Sequence, residues 1–199
     1  MGNLGHDPSL DFYDDNAALY AARDRRLPER QMARFIERLP TGARILELGC
    51  GAGGDSAELI ARGFDVTSSD GSAAMAAEAE RRLGRPVLVL PFQQLGYQAE
   101  FDGIWANACL LHVPRSDLTD VFGRIIRALR PGGRFYASFK TGGAEGLDSL
   151  GRYYNRPTRE ELHELCRAAG FVGIEIETVS GGAFDGEPTT WLYLHAGSV

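Results

Sequence analysis

The stretch "ILELGCGAGGDS", residues 45–56, restricts the fold of this chain more than any other segment. Its apolar start predicts a buried strand, "RILEL" over 44–48, which runs into glycines and then into a helix, "DSAELIARG" over 55–63. A strand that turns on glycine into a helix opens an α/β sheet, and ligands of such sheets settle beyond the carboxyl ends of the strands. The alternation continues. "FDVTSSD" (64–70) predicts a strand, "SAAMAAEAERRL" (72–83) a helix, and "PVLVL" (86–90) and "FDGIWANA" (101–108) two more strands. Over 116–130, Leu118, Val121, Phe122, Ile125, Ile126 and Leu129 recur at helical spacing behind Ser116 as N-cap. "RPGG" stops that helix, and "GGRFYASF" (132–139) predicts the next strand. Thr158 and Glu161 form a capping box for a helix that Gly170 closes. "VGIEIETVS" and "TTWLYLHA" follow with no helix between them, as an antiparallel pair. The sum is a three-layer α/β sandwich: a seven-stranded, mostly parallel, Rossmann-like sheet with one antiparallel strand in its edge region.

A chain of 199 residues suits one core. Residues 1–40 are expected to form a helical cap packed on a main domain over 41–199. The cap holds "DFYDDNAALYAARDRR", polar apart from Phe12, Tyr13 and Tyr20 as its large aromatics, and then Met32, Phe35, Ile36 and Leu39 on one helix face after Pro28. The net charge of −6 argues against a sequence-independent grip on nucleic acid. No apolar run approaches the ~18 residues of a membrane span, so no membrane partner is expected. The N-terminus lacks the basic start and apolar core of a signal peptide. Cys50, Cys109 and Cys166 are widely spaced without CxxC, which fits a reducing cytoplasm, and neither they nor the histidines show metal-ligand spacing. Lys140 is the only lysine among 21 basic residues. Nothing in the pattern specifies an oligomeric state.

Gly49, Gly51 and Gly53 follow the first strand, and Gly54 completes GxGxxG through 49, 51 and 54. Asp70 comes 21 residues after Gly49, at the tip of the second strand, where an acid can accept hydrogen bonds from both ribose hydroxyls. These features alone admit both NAD and S-adenosylmethionine. The next turn discriminates. A pyrophosphate uses the positive end of the helix, yet Asp55 and Glu58 stand there, and Glu47 adds an acid on the same side. Coulomb energies at such ranges are about 1–4 kcal/mol, which favours the cationic sulfonium cofactor. A dehydrogenase also normally needs a further substrate domain. An NAD-dependent oxidoreductase and a non-catalytic S-adenosylmethionine-binding protein remain the alternatives.

"LELGCGAGG", the acid of "SSDGS", "FDGIWANACLLHVP" and "LRPGGRFYASF" together resemble the class I S-adenosylmethionine-dependent methyltransferases. More narrowly, they resemble small bacterial domains grouped with ubiquinone-biosynthesis and tellurite-resistance enzymes, over residues 40–196 by element order. It implies that Gly49, Gly51 and Gly53 let the backbone approach the methionine part and the sugar, with Cys50 a small filler beside them. Asp70 would hold the ribose diol, and Gly71 and Met75 would border the adenine. Phe92 of "LPFQQL" would lie against the ring, although Leu90 and Pro91 stand where the family often has an acid. Asn107 and Ala108 would meet the methionine tail. Tyr13 and Tyr20 match aromatic residues of the family's cap and are able to face a sulfonium by cation–π attraction. The implied reaction is in-line transfer of the methyl to a small molecule, in which a base is needed only if the acceptor loses a proton. His112 and Tyr153 are the candidates for that role. Tyr153, Tyr154 and Arg159 fall in the segment expected to cover the acceptor, and Lys140 is a candidate for binding an acidic one.

Overall fold

Alternation along β1 (Arg44–Leu48) divides the core, since neighbouring strand residues face opposite sides of a sheet. Ile45 joins Met32, Phe35, Leu59, Val66, Trp105 and Tyr136 on one side. Leu46 and Leu48 join Leu118, Val121, Phe122, Ile125, Leu162 and Cys166 on the other. Each such side chain contributes about 1.5–3 kcal/mol when removed from water. The computed structural model describes residues 7–23, 26–182 and 188–199. Residues 1–6 and 24–25 of the N-terminal segment and 183–187 of the Gly-rich connection before the last strand lie outside these ranges.

The helices are α1 (Pro8–Ala21), α2 (Glu29–Ile36), α3 (Gly54–Ala61), α4 (Ala73–Leu83), α5 (Arg115–Ala128) and α6 (Arg159–Ala169). The remaining strands are β2 (Asp65–Asp70), β3 (Leu88–Val89), β4 (Phe101–Ala106), β5 (Leu129–Thr141), β6 (Gly146–Leu147), β7 (Tyr153–Tyr154), β8 (Val172–Gly182) and β9 (Pro188–Gly197). Seven of these nine strands form one sheet in the order β3-β2-β1-β4-β5-β9-β8. β9 alone is reversed: it pairs antiparallel with both β5 and β8 and so stands one place in from the edge. The chain steps from β1 outward to β3 and then returns to β4 on the other side of β1. Such a reversal opens a crevice above the carboxyl ends of β1 and β4.

The expected capping box of α6 is present: the Glu161 amide donates to Thr158 Oγ1 at 3.1 Å, and the Thr158 amide donates to Glu161 Oε2 at 2.7 Å. Gly170 ends the helix in the left-handed region, at φ +96°. The N-cap expected at Ser116 is Pro114 instead, with no side-chain cap bond, and the Ser116 hydroxyl turns to Asp117 Oδ1. Arg115 is drawn into the first turn because its guanidinium donates to the carbonyls of Asn155 and Arg156. The other end of α5 also moves. Pro131 disfavours helical geometry at Arg130, so the helix stops at Ala128 and β5 starts directly, with Leu129 paired to Phe101 ahead of a bulge.

The two N-terminal helices pack differently. α2 lies against one sheet face through Met32 and Phe35. α1, capped by Asp7, crosses the start of α4, where the Asp14 carboxylate accepts from the Ser72 hydroxyl at 2.6 Å and from the Ala74 amide at 3.1 Å. The β6–β7 hairpin, which pairs Gly146 with Tyr154, was not expected from the sequence. Among the described residues no helix is long and apolar enough to cross a membrane.

Candidate active site

The loop after β1 turns through three left-handed glycines, Gly49 (φ +61°), Gly51 (+56°) and Gly53 (+77°). A Cβ on Gly49 would sit 2.4 Å from Cys109 Cβ, so the loops that follow β1 and β4 meet there without room for a side chain. Asp70 ties this loop to α4: the Gly51 amide donates to its Oδ2 at 2.8 Å and the Ser72 amide to its Oδ1 at 2.9 Å. A carboxylate has about four acceptor positions, so capacity for two further donors remains. Burial, with the Asp14 charge, pushes the carboxyl up to about 6, against the pull of the Ser72, Gly51 and Gly71 amides.

Above the strand ends lies a cavity of about 990 Å³. Of the residues singled out in the sequence, Tyr13, Tyr20, Gly49, Gly51, Asp70, Gly71, Met75, Phe92, Asn107, Ala108 and His112 line it. Four do not. Glu47 shares the face of Ile45 beneath α3, where the Ser56 hydroxyl donates to it, and is 2% exposed. Cys50 points behind the loop into Ala76, Ala79 and Val87, and burial together with the Glu47 and Asp70 carboxylates pushes its thiol up, out of the reactive range. A Cβ on Gly53 would meet Leu83 at 3.1 Å and Ala79 at 3.3 Å, so this glycine serves the packing of α3 on α4. The Tyr153 phenol donates outward to Glu145 Oε2 at 2.9 Å, and only its backbone reaches the site.

Asn107 is held from both sides. Its Nδ2 donates to Asp55 Oδ2 at 2.9 Å, and its Oδ1 accepts from the Ser138 hydroxyl at 2.8 Å. Trp105 Nε1 donates to the same Asp55 oxygen at 2.9 Å, so this buried carboxylate gathers donors from β4 and its following loop at the head of α3. Ala108 takes φ +55°, and its amide donates to Ser138 Oγ at 2.7 Å. In the sequence Asp55 stood out only as charge at a helix start, and Ser138 gave no signal beyond its strand.

His112 contacts two segments distant in the chain. Its Nδ1 lies 2.6 Å from the Tyr153 carbonyl oxygen, which can only accept, so Nδ1 carries the proton. Nε2 is then the acceptor for the Tyr13 hydroxyl, 3.0 Å away. Desolvation, reinforced by the Arg152 and Lys140 charges, pushes His112 down to about 4. Desolvation pushes the Tyr13 phenol up. The pair is therefore neutral at physiological pH.

Beyond it stand Arg152, Tyr154 and Lys140, all lining the cavity. Arg152 is 2% exposed; it donates to Asp148 Oδ2 through Nη2 at 2.6 Å and lies 5.1 Å from the Phe12 ring centroid. Lys140 Nζ lies 4.4 Å from the Tyr154 ring centroid and 5.8 Å from that of Trp191. Arg152, inside "SLGRYYN", carries no sequence signal for this place.

Residues 20–176 match the model of a family described as a methyltransferase domain. The chain is 32% identical over 142 residues, 67% of its length and 53% of the relative's, to malonyl-[acyl-carrier protein] O-methyltransferase of Enterobacter lignolyticus. It is 36% identical over 129 residues, 60% of this chain and 48% of the relative, to trans-aconitate 2-methyltransferase of Variovorax paradoxus. The chain thus spans about half the length of these curated relatives. It also resembles the crystal structure of Burkholderia thailandensis 1,6-didemethyltoxoflavin-N1-methyltransferase, solved with 1,6-didemethyltoxoflavin and S-adenosylhomocysteine. The TM-score is 0.74 and the identity 26%, over 100% of this chain and 93% of that one.

Proposed function

We propose that this chain, which belongs to the class I S-adenosylmethionine-dependent methyltransferases, moves the methyl group of that cofactor onto a small-molecule acceptor. The observation that carries the reading is Asp70. It is a buried strand-tip carboxylate, fixed by the glycine-loop amide of Gly51, with acceptor capacity left toward the cavity.

The residues present fit the cofactor. Gly49 and Gly51 bring bare backbone to the cavity wall, and Asp70 suits a diol. Asp55 and Glu58 line the wall at the head of α3, where they suit an ammonium and oppose a diphosphate. Met75 and Phe92 offer apolar surface for a base. When bound, the cofactor supplies an electrophilic methyl on a sulfonium and a good leaving group.

The chain's own contribution is then placement and proton handling. α1, anchored on Ser72 and Ala74 through Asp14, contributes Leu10, Tyr13 and Tyr20 to the cavity wall, where it would keep water from the reacting atoms. The Asn107–Ser138–Ala108 network stiffens the loop between the two halves of the cavity. For an acceptor that loses a proton, Tyr13 and His112 would act together. The acceptor's proton passes to the Tyr13 oxygen as the Tyr13 proton passes to His112 Nε2.

Calorimetry with S-adenosylmethionine, S-adenosylhomocysteine and NAD tests the reading, followed by a mass-spectrometric screen for metabolites that gain one CH2. The expected result is binding of the first two ligands and a methylated product. Binding of NAD without S-adenosylhomocysteine, or cofactor binding without turnover of any metabolite, would replace it.

A further inference from the structure

We propose that the wall formed by Lys140, Arg152 and Tyr154 seats an anionic group of the methyl acceptor, a carboxylate or a phosphate on an apolar body. The proposal rests on the methyltransferase reading and names the acceptor class for that site.

The buried charges of the cavity are sorted, whereas Arg23, Arg26, Arg82 and Glu58, which also line it, are more exposed. Asp70 ends β2 and Asp55 opens α3 after β1, whereas Lys140 lies near the end of β5. β1 and β4 stand between β2 and β5, so the two ends are three strand spacings apart, about 14 Å. Asp7, another acid of the cavity wall, is engaged by the Ser9 and Leu10 amides at the head of α1. Two buried cations, Lys140 at 6% exposure and Arg152 at 2%, therefore share one wall in a chain whose net charge is −6. Arg152 keeps its carboxylate partner Asp148 behind it, outside the cavity lining, while its guanidinium lines the cavity beside Tyr154.

Composition sharpens the case. The chain uses arginine at every other basic position, and its single lysine is buried against this cavity. A lysine presents a compact charge on a flexible stem, where arginine brings a planar fork. The rings of Tyr154 and Trp191 flank its ammonium, and Leu111 and Tyr193 also line the cavity, which suits an acceptor with an apolar body.

The seat also acts on the proton relay. Both cations disfavour the charged form of His112, as does its burial, and the Asp148 carboxylate opposes them. Its other contacts are the Tyr13 hydroxyl, the Tyr153 carbonyl and the Tyr154 ring. An acceptor anion at Lys140 and Arg152 offsets that field, so the imidazole gains basicity when the acceptor is in place.

The single lysine makes a direct test possible. Protein labelled with 13C-lysine gives one lysine Cε resonance, read in the presence of saturating S-adenosylhomocysteine. Benzoate or phenyl phosphate is expected to shift it and to bind at least tenfold more tightly than benzamide. The tighter of the two anions assigns carboxylate or phosphate. Lys140→Met should lose the preference for the anion by calorimetry, and Lys140→Arg should keep most of it. Equal binding of the anions and benzamide, or an undiminished preference in Lys140→Met, overturns the proposal. If S-adenosylhomocysteine binds and neither anion does, the anion seat alone fails; if S-adenosylhomocysteine does not bind, the methyltransferase reading fails and the seat with it. Should Lys140→Met not fold, the wild-type resonance and the benzoate–benzamide comparison still decide.

Discussion

Replacing Asp70 by asparagine probes the group on which the cofactor reading turns. Its carboxyl is raised from the ordinary 3.8 to about 6, mainly by burial. A diol donating to it favours the ionised form, so binding releases a proton wherever the free carboxyl is protonated. With the free value at about 6, the wild-type Kd for S-adenosylhomocysteine should rise about tenfold, or about 1.4 kcal/mol, between about pH 7.5 and pH 5. Asp70→Asn keeps the shape and loses the charge. At about pH 7.5 it should bind about 10- to 100-fold more weakly, the worth of hydrogen bonds to a charged group, and its Kd should stay flat with pH. Calorimetry in buffers of differing ionisation enthalpy measures both the Kd and the proton released. Stability moves the other way. Because the folded value exceeds the unfolded one, the fold prefers the protonated form, and this contribution is complete below 3.8 and lost as pH rises through about 6. The loss amounts to about 3 kcal/mol at about 1.36 kcal/mol per pH unit, and Asp70→Asn should abolish it in urea melts. Parallel pH profiles for wild type and variant would show that the carboxylate neither meets the ligand nor titrates as argued.

Gly49→Ala should destabilise the fold by about 3 kcal/mol or more, from the left-handed backbone and the overlap with Cys109; adding Cys109→Gly should recover the overlap and leave about 1–2 kcal/mol in urea melts. Tyr13→Phe removes the hydroxyl that donates to His112 and should lower kcat about 100-fold on an acceptor that loses a proton, with the S-adenosylhomocysteine Kd changed less than about threefold. Trp105→Phe strips one donor from the buried Asp55 carboxylate and should cost about 1.5–3 kcal/mol by chemical denaturation. Thr158→Ala dissolves the capping box of α6 and should cost about 1 kcal/mol, a fall in Tm of about 2–4 °C, with no effect on cofactor binding.

The fold was legible wherever local chemistry makes a demand that few residues meet. Gly49 must be glycine because its backbone is left-handed and Cys109 fills the space of a side chain. Thr158, Glu161 and Gly170 announce α6 because caps need particular side chains and particular dihedrals. Alternating strands and helices imply a mostly parallel sheet, and the unbroken succession of β8 and β9 implies the reversed strand. The errors occur where a distant group decides. The start of α5 shifts because Arg115 is held by carbonyls some forty residues away. The strands β6 and β7 have two residues each, too short to leave a periodic pattern.

The same distinction divides the cavity. The half proposed for the cofactor is built from the ends of β1, β2 and β4, where glycines and an acid recur at spacings set by one supersecondary unit, so sequence alone brings Gly49, Gly51 and Asp70 to the cavity wall. It misplaces Glu47 and Cys50, which sit in the same motif, because a motif does not state toward which side a residue points. The acceptor half has no such unit. Tyr13 meets His112 across 99 residues, and Lys140 meets Tyr154 through two segments that share only a tertiary contact. The sequence names these residues one by one, but none of their positions needs its residue for backbone geometry, so nothing local shows which of them meet. A cofactor common to a whole family is held by what the fold itself requires, whereas the acceptor is chosen by side chains that the fold leaves free. That makes the charge at Lys140, rather than the glycine loop, the place where this chain's particular chemistry is to be sought.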